Sequence, residues 1–278
     1  IDAAATFTIS SDASFNSVSI GKGANSVAGN TVLGESALDA SVSGGENTAI
    51  GKSALTALTS GSSNTVVGAS CGDAVTTGSD NTAMGVSAFG TNTTGANNTA
   101  IGRAALFANE TANNNTAVGY HALQDNTASN NSAVGYGALK ENTTGTSNVA
   151  VGANALDANT TANFNTACGF QALTTATTGS SNTGVGYEAL KLCSTGIQNT
   201  SIGESALASN TTASNNTAVG KSALFANTTG YTNTAVGKEA GKSITTGYGN
   251  TALGSDSLEL NQTGIYNTAV GLSSLGNT

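Results

Sequence analysis

Charge is scarce in this chain. Only 9% of its 278 residues are Asp, Glu, Lys or Arg, against about a quarter in an ordinary globular domain. Lys and Arg total eight, they do not cluster, and the formal net charge is −8. That balance excludes a phosphate-tracking surface, so no nucleic-acid partner is expected. No apolar run approaches the ~20 residues of a membrane helix, so no membrane insertion is expected either. Proline and tryptophan are absent, and aromatics make up 5%. The single histidine, His121, lies in a variable position beside Tyr120 and is expected to face solvent. A lone His supplies neither a metal cluster nor a nucleophilic triad. The Gly-rich stretches lack a Walker lysine pattern, so phosphate binding is not expected. No catalytic, cofactor-binding or metal residue is therefore assigned, no cofactor is implied, and the chain does not read as an enzyme. The three cysteines, Cys71, Cys168 and Cys193, have no metal-ligand spacing. Cys168 takes the place of a valine and reads as a small buried hydrophobe.

What fills the chain instead is Gly, Ala, Asn, Thr and Ser, written in strict register. The sequence NTAVG occurs at 216–220 and again at 233–237. Taking the closing Gly as a reference, equivalents fall at 34, 51, 68, 85, 102, 119, 135, 152, 169, 186, 203, 220, 237, 254 and 271. Every step is 17 except the 16 between Gly119 and Gly135. A related stretch, NSVSIG at 16–21, precedes Gly34 by a shorter interval. Such a mixture of small polar residues suits disorder, but disordered sequence has no need to hold register. Fixed periodicity of this kind means stacked copies of one structural unit.

Slots are numbered from that Gly, slot 0. Slot −4 is Asn in every copy, −3 is Thr except at Ser132 and Val149, −2 is small, and −1 is almost always Leu, Ile, Val or Met. Slot +4 is Leu in most copies, and +10 is usually Gly. Short β-branched runs closed by Gly read as strands and corners, and the period is too short for a helix pair. The expected fold is all-β, a parallel β-solenoid of about fifteen 17-residue coils, with two strand-like pieces per coil: NTAV and the segment around AL. The −1 residue and the +4 Leu are expected to form two inner columns. Thr at −3 is expected to form a hydroxyl ladder. Stacked side-chain amides both donate and accept, which predicts an Asn ladder. Its members are Asn30, Asn47, Asn64, Asn81, Asn98, Asn115, Asn131, Asn148, Asn165, Asn182, Asn199, Asn216, Asn233, Asn250 and Asn267. Residues 1–15 lack the repeat. TFTIS at 6–10 alternates and predicts an N-terminal strand or cap, leaving 16–278 as the solenoid. The chain stops at Thr278, partway through the coil that follows Gly271, which leaves either a cut array or an end covered by another subunit.

NSVSIG and the NTAVGxxAL units resemble the head repeats of YadA-type trimeric autotransporter adhesins. The longer NTAVGYxAL form resembles repeats of phage tail-fibre-like proteins. The resemblance covers about residues 16–278 and implies a left-handed β-roll that trimerises. It further implies a non-enzymatic structural protein of an extracellular, cell-surface or virion fibre. The alternatives are a pilus-like subunit polymerising head to tail, and an ice-binding protein presenting regular Thr arrays. The partner is then the chain itself, as homotrimer or filament, together with a cell-surface glycan or receptor. Tyr120, Tyr136, Phe170 and Tyr187, all in slot +1 and broken by Ala153, could stack on sugar rings or merely cover a corner. The Asn-x-Thr sequons at Asn92, Asn142, Asn159, Asn210 and Asn227 read as corner residues, and as surface acceptor sites in a glycosylating host.

Overall fold

The computed structural model describes residues 12–276. TFTIS at 6–10 lies outside them. Two compact units divide the chain, residues 1–114 and 115–278. Both are β-solenoids built from one short strand per repeat. In the first unit the parallel strands are β3 (Thr31–Gly34), β4 (Thr48–Ile50), β5 (Thr65–Val67), β6 (Thr82–Met84) and β7 (Thr99–Ile101). They pair slot for slot, as in Ala49 with Val66. The second unit stacks β8 (Thr116–Val118) to β17 (Thr268–Val270) in the same manner. The shortened step between Gly119 and Gly135 leaves this register intact: Thr116 faces Ser132, and Ser132 faces Val149. The missing residue is taken from the corner after Asn126, far along the coil from the strand.

NSVSIG is not a shortened coil. Ala13–Phe15 (β1) and Val18–Gly21 (β2) form a hairpin, and β2 pairs antiparallel to β3. Asn16 and Ser17 turn the hairpin with φ of 49° and 67°, the left-handed pair that so tight a loop requires.

The second expected strand, around AL, is a turn. Slots +2 and +4 are left-handed in nearly every coil, for example Asn154 at 54° and Leu156 at 52°. A left-handed Leu costs about 1–2 kcal/mol and cannot continue a strand. Here it is held from both sides. The Leu156 N–H donates to Ala172 O in the next coil at 3.1 Å, while Asn154 N–H donates to Tyr136 O in the preceding coil at 2.8 Å. The Leu156 side chain is fully buried. Slot 0 needs glycine for two reasons. Gly152 has φ 133°, and a Cβ there would collide with Gly169 O of the next coil.

The interior is narrower than its hydropathy suggests. Ala at −2 and +3 and Leu at +4 are buried in most coils of both units, as in Ala150, Ala155 and Leu156. The apolar −1 column, expected inside, faces out: Leu33, Met84, Val151, Ile202 and Val236 are all exposed. Strand side chains alternate, so burial of −4 and −2 puts −3 and −1 on the outer face. Cys168 belongs to that outer column and is exposed rather than buried. The hydroxyl ladder also lies elsewhere than expected. Thr at −3 faces outward, and the ladder runs along slot +8, where Thr160 Oγ1 donates to Thr177 O at 3.2 Å and Thr177 Oγ1 to Ser194 O at 3.2 Å.

Candidate functional site

The predicted Asn ladder is present, and its partners show why no other residue serves. Strand pairing starts at slot −3, which leaves the slot −4 N–H without a ladder partner. The side chain one coil back supplies the acceptor. Asn199 N–H donates to Asn182 Oδ1 at 2.9 Å, and Asn182 N–H to Asn165 Oδ1 at 2.8 Å. The other half of the amide turns to the corner, where Asn182 Nδ2 donates to Gly196 O at 2.8 Å. The same pattern holds in the first unit, with Asn64 N–H on Asn47 Oδ1 at 3.0 Å and Asn64 Nδ2 on Gly78 O at 2.9 Å. Each of these Asn side chains thus satisfies a main-chain donor and a main-chain acceptor of neighbouring segments. Asp lacks the donor, and its stacked charges would repel.

A second buried Asn column is not legible as one in the sequence. Slot +7 holds Asn92, Asn109, Asn126, Asn142, Asn159, Asn210, Asn227 and Asn261, all buried. In other coils the same slot holds Leu58, Val75, Ala176, Cys193 or Ile244, also buried. The sequon asparagines belong here, so they are interior groups and not surface acceptors. The signal that finds them is spacing: slot +7 follows the buried Leu at +4, inside the corner.

Most charged side chains lie on one strip of each unit, slots +1, +2 and +5. Every basic residue except Lys22 lies in +1 or +5. Ion pairs form along it: Lys52–Glu35 at 3.2 Å, Lys221–Glu204 at 3.0 Å and Lys191–Glu188 at 2.8 Å. Lys191 holds the Glu188 carboxyl below its ordinary range through that hydrogen bond. Glu239, Asp256 and Glu259 approach one another closely. Lys242 Nζ, 2.8 Å from Glu239, supplies compensating charge and lowers the Glu239 carboxyl through its hydrogen bond.

The four slot +1 aromatics form two separate pairs. Tyr120 and Tyr136 stack with centroids 5.4 Å apart and planes 5° apart. Phe170 and Tyr187 stack at 5.6 Å and 11°. Beside the first pair a cleft of about 500 Å³ opens, lined by Tyr120, His121, Gln124, Tyr136, Gly137, Lys140, Asn154 and Asp157. His121 is half-buried, its ring packed on Tyr120 at 3.9 Å and its Nδ1 hydrogen-bonded to Gln124 Oε1. A further aromatic group lies on another face, where Tyr231 stacks on Tyr248 at 4.7 Å and Tyr248 meets Tyr266 edge-on. Among the described residues, no helix is long and apolar enough to cross a membrane. No protein-family model, curated protein or solved structure matches the chain.

Proposed function

We propose that this chain is a non-enzymatic structural subunit of an extracellular fibre, of the adhesin or phage tail-fibre kind, and that copies associate side by side through the outer strand face. The observation that carries this reading is the outward −1 column. It places an apolar side chain on an open surface in coil after coil, as at Leu33 and Met84 in the first unit and at Val151, Ile202 and Val236 in the second. Coils repeat about every 4.8 Å, so each stripe is a comb of apolar teeth at that spacing. A partner that meshes with it must carry the same spacing, and another copy of this chain does. Exposed apolar stripes are otherwise costly in water and prone to association.

Sedimentation velocity tests the proposal. The parent chain should run as a discrete oligomer, with three copies as the expected number. The double substitution Val151→Glu and Ile202→Glu places charge in the stripe without touching the interior, and it should yield monomers with unchanged circular dichroism. A monomeric parent at micromolar concentration, or an unchanged oligomer in the double variant, would overturn the reading. The same face carries Thr at −3 beside the apolar column, the arrangement that favours ice binding. Thermal hysteresis of the monomeric variant and of the parent decides that alternative.

A further inference from the structure

We infer that the cleft beside Tyr120 and Tyr136 is a carbohydrate-binding site for a neutral di- or oligosaccharide. The inference goes beyond the fibre reading and does not depend on it. The cleft exists because of one residue. Slot +2 carries a side chain in both neighbouring coils, His121 before and Asn154 after, but Gly137 between them has none. The gap lies directly beside the Tyr136 ring, which is 59% exposed, and opens to about 500 Å³. Ligand pockets typically span about 300–1,000 Å³. It crosses three successive coils, so its long axis is about 10 Å at the solenoid spacing, the length of a disaccharide.

The chemistry of the wall selects the ligand class. The two phenol rings stack with parallel planes, and His121 packs on Tyr120, so the more exposed Tyr136 offers the aromatic surface that complements the C–H face of a pyranose. Around it stand polar groups that donate, accept or do both: the amides of Gln124 and Asn154, the Asp157 carboxylate and the Lys140 ammonium. Vicinal hydroxyls of a sugar bond to such groups in pairs. Anionic ligands fit poorly, because the Asp157 carboxylate shares the wall with Lys140, and Lys140 also lies 3.9 Å from Glu141. The Phe170–Tyr187 pair is the internal control. It stacks in the same slot, but Gln171 and Glu188 fill slot +2 there and the Lys191–Glu188 ion pair at 2.8 Å occupies the space.

The test uses the full chain and saturation-transfer NMR with lactose, maltose and chitobiose, each at about 10 mM, a range that reports Kd values near 1 mM. At least one disaccharide should receive saturation. Tyr136→Ala and Gly137→Gln should each reduce the signal by more than about tenfold, while Phe170→Ala leaves it unchanged. Gly137→Gln is expected to fold. Neighbouring slot +2 residues hold φ near that of Gly137, with Asn154 at 54° and Gln171 at 53° against 61°. A Cβ at 137 would meet first the Asn154 amide oxygen, the mobile end of a side chain. No transfer from any of the three sugars, transfer that survives Gly137→Gln, or binding confined to sialylated and sulfated analogues would each overturn the inference. Sedimentation of the same preparations reads assembly separately, so failure of sugar binding and failure of the fibre reading are distinguishable.

Discussion

Two columns of buried asparagine run through each unit, and they obey opposite rules. Slot −4 accepts no substitute in any repeat, whereas slot +7 exchanges Asn for Leu58, Val75, Ala176, Cys193 or Ile244. Burial does not separate them, since Asn182 and Asn227 are both fully buried. The difference is which groups depend on the side chain. Asn182 Oδ1 is the acceptor for the Asn199 N–H, and its Nδ2 serves Gly196 O. Asn227 donates to Gly230 O and receives Gly230 N–H, all within its own corner. Gly230 O also accepts from Asn216 Nδ2 at 2.8 Å, and Gly230 N–H also reaches Thr245 O at 3.4 Å. Asn182 completes the main chain around it, whereas Asn227 serves two groups of Gly230 that have other partners.

The sharpest way to break the comparison is Asn182→Leu. It leaves the Asn199 N–H and the Gly196 carbonyl buried without their strong partners. Each orphaned group costs about 1–3 kcal/mol, so a loss of about 2–6 kcal/mol is expected. Chemical denaturation followed by circular dichroism measures it. Stability within about 1 kcal/mol of the parent would show that the ladder is ornamental.

A smaller effect probes slot +7 with charge. Cys193 occupies that slot and Cys71 a slot +3 position, and burial pushes both thiols from 9.0 up to about 12. The unfolded chain ionises these thiols first, because the buried folded state favours the neutral form. Their contribution is therefore full below pH 9 and falls away as pH rises towards about 12. At pH 10 the loss is about 1.4 kcal/mol for each thiol. Cys71→Ala with Cys193→Ala uses residues native to these slots, as Ala54 and Ala176 show. The double variant should lose less stability than the parent between pH 8 and pH 10, and equal losses would refute the assignment. At pH 8, iodoacetamide should label exposed Cys168 and spare the other two.

The same contrast explains how far the sequence can be read. Period and the invariant Asn locate the coil, the strand and the ladder, because a residue fixed in every copy of a stack must serve the stack. Hydropathy puts the apolar −1 column on the wrong side. The information to place it correctly is present: strand side chains alternate, so an inward Asn at −4 requires an inward −2 and an outward −1. Alanine at −2, unexceptional by composition, is the true interior. The left-handed Leu at +4 has no local signal, since Leu does not favour that conformation and only contacts with the adjoining coils impose it. Slot +7 is hidden because its identity varies. The cleft at Gly137 is hidden because it arises from a missing side chain between His121 and Asn154, two neighbours in space that the one-dimensional order places a full coil away on either side.

The smallest expected effect is the mirror of the first. Asn227→Leu copies what slot +7 already holds at Leu58, in a coil whose corner groups keep other partners. Removing both polar bonds together with their side chain leaves no buried group orphaned, and the added apolar contact offsets the lost hydrogen bonds. Net change within about 1 kcal/mol is expected. If slot +7 is neutral to this exchange, its variation from coil to coil reflects only local packing. A loss as large as that of Asn182→Leu would mean that the two columns act as one network, and that the main chain is less self-sufficient in its corners than the hydrogen bonds to Gly230 indicate.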